Sequence, residues 1–313
     1  MFGALVAAEK SGLPTATLMH TPYSMPTRGV PPFGLGFRPA RGPFGRLRDR
    51  LLGWLMVRIF DRSGRPPVNA ARAALGLAPL ACVFDQVSRG ARILVLTARS
   101  YDFAARAELP AGVVYVGPQL DDPAWAAPWT SPWPDGATEP LVIVALGSTF
   151  QNQGEITQRI IDALAGLPVR GLVTLGGVFE PTDFRLPANV VAVASAPHRV
   201  VFPQARAVVA HGGHGTTMKA LAHGVPLLSV PLGRDQADNA VRVVEAGAGL
   251  RVRPTARTAD LRRALARLIA EPGFAVSARR MAAEIARDVA GDPATRELEA
   301  LAGARRFRAA EST

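Results

Sequence analysis

The stretch AHGGHGTTMKALAHGVPLLSVPLGRDQADNA, residues 210–240, decides how this chain is read. It runs as strand, glycine turn, helix, strand and polar loop, and its apolar runs are short enough to be buried parallel strands. A glycine turn that opens a helix sets unpaired N–H donors and the positive end of the helix dipole beside whatever binds there. A phosphorylated ligand is therefore the first expectation. Working outward, residues 141–146, 169–175, 190–194, 207–210 and 227–230 read as strands, and 154–167 and 236–246 as helices. Continuous apolar strands alternating with helices predict an α/β fold with a doubly wound parallel sheet, whose ligands sit beyond the carboxyl ends of the strands. Three stretches leave those ends: 147–149, 211–216 and 233–236.

The residue types in these stretches suit a phosphate and sugar hydroxyls. Gly212, Gly213 and Gly215 permit a tight turn with close backbone approach, and Thr216 is expected to help cap the following helix. His211 ends a strand, where its imidazole can donate to a phosphate oxygen, and Ser148 and Thr149 add hydroxyl donors on the same edge. The plain alternative is a packing turn with His211 as a core histidine. Asp235 and Gln236 join an acceptor-only carboxylate to an amide that donates and accepts, the mixture that vicinal sugar hydroxyls need; alternatively, Asp235 simply caps the next helix. His211 and His214 stand three apart across a glycine turn without a cysteine or paired carboxylate nearby, so no metal is expected.

The rest of the chain reads as scaffold. At 313 residues, with 48% hydrophobic and 19% charged residues, it is long enough for two globular domains. The net charge of +11 comes from Lys10, Lys219 and arginines scattered along the chain. Without clustering or interleaved aromatics, this predicts no nucleic-acid surface. One cysteine, Cys82, excludes an internal disulfide and points to a reducing cytoplasm. No apolar run approaches the roughly 20 residues of a membrane span; residues 51–60 read first as a helix packed on its own domain and, as the alternative, as one that touches a lipid surface. Residues 2–9 read as a helix and 15–20 as a strand, an opening without a preceding strand. Residues 22–43, rich in proline and glycine, read as an irregular loop of the kind that shapes a ligand cleft. Residues 46–60 and 67–75 read as two helices, and 91–97 and 113–116 as strands. The expected division is a domain over 1–120, a linker over 121–140 with Trp125, Trp129 and Trp133, and a ligand-binding domain with bracing helices over 141–313.

The order strand, His-Gly-Gly-x-Gly-Thr, helix, Gly-Val-Pro, strand, Pro-Leu-x-x-Asp-Gln-x-x-Asn-Ala resembles the donor-binding motif of family 1 glycosyltransferases, the UDP-glycosyltransferase superfamily. The likeness is strongest to bacterial members that act on macrolides and other natural products. Gly147-Ser148 is similar to the first loop of their C-terminal domain and Ala196-Pro197-His198 to the loop that contacts the nucleobase. Residues 69–80 and 115–118 resemble an N-domain helix and the approach to the linker. The resemblance implies a GT-B fold of two Rossmann-like domains and metal-independent, inverting transfer of a hexose from UDP or TDP to a small lipophilic acceptor. It places the diphosphate on Ser148, Thr149, His211, Gly213, His214, Gly215 and Thr216, the base at Ala196, Pro197 and His198, and the sugar on Asp235 and Gln236.

Three positions depart from the family pattern. Ser195 stands where many members stack a tryptophan on the base, and Lys219 where many place a glutamate on the ribose. The histidine that serves as general base in the family matches nothing in this sequence, as though the first part of the N-terminal domain were absent. His20 is the weak candidate to replace it. The competing expectation is a chain that binds nucleotide sugar without turnover. A nicotinamide-dependent dehydrogenase is disfavoured, because no Gly-x-Gly-x-x-Gly follows the first strand of residues 141–146.

Overall fold

The computed structural model describes residues 2–122, 129–134, 136–149 and 151–310, with side chains in the last helix through Gly303. Trp125 of the expected linker lies outside them. The chain divides into two compact units: Met1–Phe33, Phe37–Pro118 and Arg287–Thr313 form the first, and Gly34–Gly36 and Gln119–Ala286 the second.

The first unit contains α1 (Phe2–Lys10), β1 (Ala16–Met19), α2 (Pro43–Ala74), α3 (Asp85–Ser88), β2 (Arg92–Val95) and β3 (Val113–Tyr115), with the strands parallel in the order β1-β2-β3. Met19, Tyr23, Val87, Ile93, Val95 and Ala104 make the core on the sheet, and Val6, Val68, Leu80 and Val83 a second cluster under the helices. The two helices expected over 46–60 and 67–75 are one. α2 runs through Pro66 and Pro67, although neither can donate to the turn before it. Tertiary anchors on both sides of the prolines hold the helix together. Asp61 accepts the N–H of Val83 at 2.7 Å, while Asn69 brackets Leu80 by accepting its N–H and donating to its carbonyl. Both halves are thereby tied to one segment.

Arg72 on α2 is 1% exposed, yet fully engaged. Its guanidinium donates to Glu9 at 2.6 and 3.1 Å, to Gln86 at 2.6 Å and to the Ala78 carbonyl at 2.7 Å, which welds α1, α2 and α3 together. A buried guanidinium is tolerable only when its donors are satisfied in this way.

The second unit contains β4 (Leu141–Ala145), α4 (Gly154–Leu164), β5 (Arg170–Thr174), β6 (Val190–Val193), α5 (His198–Val201), β7 (Ala205–Ala210), α6 (His214–Ala222), β8 (Leu227–Ser229), α7 (Gln236–Glu245), β9 (Gly249–Arg251), α8 (Thr258–Ala270) and most of α9 (Pro272–Val289). Six parallel strands lie in the order β6-β5-β4-β7-β8-β9. The strand ends are level, with Ala145 beside Thr174 on one side and beside Ala210 on the other, and Ala210 beside Ser229. β4 is buried throughout, and α4 and α8 close one face of the sheet with Ile156, Ile160, Leu261 and Leu265. The winding reverses between β4 and β7, the place where ligands of such sheets bind.

The C-terminal helices do not all belong with residues 141–313, as the sequence suggested. The end of α9 and α10 (Pro293–Ala310) group with the first unit. There Asp288 accepts the N–H of Arg99 at 2.7 Å and Glu297 pairs with Arg92 at 2.9 Å.

The Arg72 cluster yields a stability prediction. Arg72 holds the Glu9 carboxyl down at about 2, against burial, with help from Gln86 and Arg89. A depressed carboxylate contributes stability above its ordinary value near 4.5 and loses it as pH falls towards 2. Urea unfolding followed across that window should show wild type losing more stability than Glu9→Gln. At neutral pH, Arg72→Met should cost about 2 kcal/mol or more.

Candidate functional site

The site is built where β4 and β7 diverge. His211 follows β7 directly, and its ring is wedged between two glycines. A Cβ at Gly147 would stand 3.0 Å from His211 Cε1, and one at Gly213 only 2.4 Å from Nε2. Gly147, at φ +96°, also adopts a backbone conformation that side chains disfavour. His211 is 9% exposed and its Nδ1 is buried without a partner in hydrogen-bonding geometry. Burial pushes its pKa below the ordinary histidine value, with the Ala145 carbonyl and the Asp235 carboxylate pulling more weakly the other way. The ring is therefore neutral near pH 7 and ready to gain from an anion.

α6 opens immediately after the turn. Its N-cap is Gly213, which has no side chain to offer, so the expected help from Thr216 does not occur: Thr216 lies inside the first turn. The first N–H groups of a helix have no carbonyl one turn earlier to pair with. Space lies open beside Gly215, where a Cβ would meet nothing within 4 Å. Ser148 and Thr149 are exposed on the neighbouring strand end. Turn, helix start and hydroxyl loop thus lie at the same end of the sheet.

The third stretch is knitted to the other two. Gly212, at φ +90°, runs so close to α7 that a Cβ would stand 2.8 Å from the Gln236 carbonyl. The Gln236 side chain is 2% exposed and internally committed. Its Oε1 accepts the N–H groups of Leu232 at 2.6 Å and Gly233 at 3.0 Å, and its Nε2 donates to Gln151 at 2.7 Å. These bonds fix a loop in which Arg234 adopts φ +54°, a sparsely populated conformation for a non-glycine residue. Asp235 occupies the N-cap position of α7 but makes no capping bond. Instead, its Oδ2 accepts from Asn239 Nδ2 at 2.9 Å, and Asn239 Oδ1 lies 3.3 Å from His214 Nδ1. His214 is thus a buried link to α7 that presents its backbone, more than its ring, to the turn. One position before Asn239, Asp238 accepts the N–H groups of Gly34 and Gly36, so the tip of the proline- and glycine-rich loop rests on the same helix.

Ala196 is buried, Pro197 caps α5, and the His198 ring stacks on Phe202 with centroids 4.2 Å apart and planes 13° apart. Burial first, then the positive charge of Lys219, lowers the His198 pKa to about 4. Lys219 donates to Asp122 Oδ1 at 2.9 Å, and Asp122 Oδ2 accepts the N–H of Arg199 at 2.9 Å. In the first unit, Tyr23, Met25, Cys82, Phe84 and Leu109 line a cavity of about 240 Å³ with Asp85 and Glu108 among its polar groups. His20 is exposed beyond the end of β1 and does not line it.

Sequence reasoning assigned no role to Gln151, Asn239 or Asp122, although Asn239 lies within the quoted motif. Asn239 could have been found, because it stands four residues after Asp235 on one helix face. Asp122 carries no local signal.

Six parallel strands reversing at β4, with a glycine turn and open helix start at the reversal, define an α/β unit of the kind found in GT-B proteins. Comparison with known proteins supplies the family. Residues 158–301 match the model of the erythromycin biosynthesis protein CIII-like C-terminal domain. The chain is 32% identical over 296 residues to 4'-demethylrebeccamycin synthase of Lentzea aerocolonigenes, covering 91% of this chain and 68% of that protein. Among solved structures, the glycotransferase of kitacinnamycin superposes with a TM-score of 0.74 at 24% identity, over 96% of this chain and 73% of that one. CalG4, the calicheamicin glycosyltransferase, does so with a TM-score of 0.69 at 25% identity, over 95% and 70%. The chain belongs to the family 1 glycosyltransferases, the UDP-glycosyltransferase superfamily.

The glycine contacts set a pair of opposite expectations. Gly213→Ala drives a methyl group into the His211 ring and should destabilise the chain by about 1–3 kcal/mol. Gly215→Ala meets open space within a helix and should be neutral or stabilising by up to about 1 kcal/mol. Urea denaturation of both variants reads the difference.

Proposed function

We propose that the second unit binds a nucleoside-diphosphate hexose, UDP- or TDP-linked, for inverting transfer to a hydroxyl of a small lipophilic acceptor. The observation that carries this reading is the neutral, buried His211 held at the β4–β7 reversal beside the uncapped start of α6. Diphosphate oxygens would take the donors of His211, Gly213, His214, Gly215, Thr216, Ser148 and Thr149. These preorganised groups serve best where negative charge develops on the leaving diphosphate. The base would lie against Ala196, Pro197 and His198. Asp235 would take the sugar hydroxyls with its free carboxylate oxygen, while Gln236 would act mainly by holding the 232–236 loop. No metal or cofactor enters this reading, and the cavity of the first unit would suit an apolar acceptor. The natural-product enzymes among the relatives support the acceptor class.

In the reaction, a base takes the acceptor proton, the acceptor oxygen attacks the anomeric carbon, and the diphosphate departs onto the His211 turn. One observation favours a second reading, donor binding without turnover. His20 is the only histidine of the first unit, and among the described residues it pairs with no carboxylate that would steady it as a base. Assays of donor hydrolysis and of transfer to lipophilic phenols and alcohols, run beside nucleotide binding, separate the two: binding without either reaction selects the second. A chain that binds neither UDP, TDP nor their sugars refutes both.

Loss of one charge-assisted hydrogen bond predicts that His211→Ala weakens UDP or TDP binding about tenfold or more. Asp235→Ala should instead lose discrimination among donor sugars and keep affinity for the diphosphate; calorimetric titration with UDP and with several UDP-sugars checks the division.

A pH dependence follows from the lowered pKa of His211. The free ring is mostly neutral at pH 7, whereas a bound diphosphate raises its pKa, so binding takes up a proton. From about pH 8 to about pH 6, UDP affinity of the wild type should rise relative to that of His211→Gln. Referring both to the variant cancels the titration of the phosphate itself.

A further inference from the structure

Asp122 joins two parts of the second unit that are far apart in sequence. Its Oδ2 accepts the backbone N–H of Arg199, and its Oδ1 accepts Lys219 Nζ, both at 2.9 Å. The paired side chains are 13% and 12% exposed, so neither is a mobile surface group. Arg199 follows the loop of Ala196, Pro197 and His198. Lys219 stands on α6, the helix whose first turn forms the diphosphate end of the site. One carboxylate thus bridges the candidate base loop to the candidate diphosphate helix.

We propose that Asp122 is a positioning residue for the donor's nucleobase, fixing the loop of Ala196, Pro197 and His198 at a set distance and angle from α6. The inference rests on the reading of that loop as the base contact. Its chemistry is specific to a carboxylate. Burial works to raise the Asp122 pKa, but the Arg199 N–H and Lys219 outweigh it and hold the group ionised below the usual carboxylate range. An asparagine in its place can accept one bond, but it turns an N–H₂ group towards a second donor, either the ammonium or the Arg199 N–H, and carries no charge for Lys219. The released ammonium would lie near His198 and His223, whose rings are neutral at pH 7 because burial lowers both pKa values. Nothing there would hold it in place. The bridge also accounts for Lys219: the cation is committed to Asp122, and the ionic contact is internal to the protein.

The test compares the affinity of the full chain for UDP and TDP with its affinity for inorganic pyrophosphate, in wild type, Asp122→Asn and Asp122→Glu. Pyrophosphate reports the His211 turn alone and serves as the check on folding. Asp122→Asn should weaken the preferred nucleotide about tenfold and leave pyrophosphate within about twofold, while Asp122→Glu recovers part of the loss. If Asp122→Asn keeps the nucleotide-over-pyrophosphate preference of the wild type, or loses both ligands in equal proportion, the positioning role is overturned and the base reading stands. A wild-type chain that binds UDP and TDP no tighter than pyrophosphate overturns the base reading itself, and the positioning role falls with it.

Discussion

The reversal of winding between β4 and β7 is the constraint on which the rest of the second unit depends. Adjacent parallel strands normally send their chains to the same face of a sheet; here they leave to opposite faces and open a gap at the strand ends. His211 fills the floor of that gap, and the segments around it adapt to an aromatic ring. Gly147 and Gly213 are small because the imidazole lies against both, and Gly212 because α7 crosses close by. The geometry that makes the gap therefore also dictates which residues can surround it.

The electrostatics of the site follow from burial. His198 and His211 are both neutral at pH 7 because desolvation outweighs their neighbouring carboxylates. In the proposed donor site the attraction for an anion would consequently come from oriented N–H groups and hydroxyls, whose partial charges need no reorganisation when a ligand arrives. Full charges are placed further out and tied down: Asp235 through Asn239, and Lys219 through Asp122. This arrangement keeps the full charges apart from the oriented N–H groups at the start of α6.

Much of this architecture was legible in the sequence, and the exceptions have physical causes. The strands around residues 141–146, 169–175, 190–194, 207–210 and 227–230 were readable because parallel strands buried on both faces must be apolar throughout. β9 escaped because Gly249–Arg251 is a short edge strand, with only Leu250 to mark it. α2 was broken in two because Pro66 and Pro67 are local signals, whereas Asp61 and Asn69 stabilise the helix through partners 22 and 11 residues away. The same limit applies at the site. His211 and its glycines announce themselves within one short motif. The internal role of Gln236 depends on Gln151, 85 residues distant, and that of Asp122 on Arg199 and Lys219. Periodicity reveals which face is buried; it does not reveal what a buried polar group will meet.

The seating of His211 between two glycines has a consequence for how such a protein can change. A substitution at 147 or 213 presses on the ring of His211, and 212 is held in the same way by the backbone of α7, so single mutational steps through the floor of the site carry a cost in stability. Ser148, Thr149, Gly215 and Arg234, by contrast, can vary without displacing a neighbour's ring. Variation that leaves the fold intact is channelled to that outer rim, and a library confined there would retain more folded members.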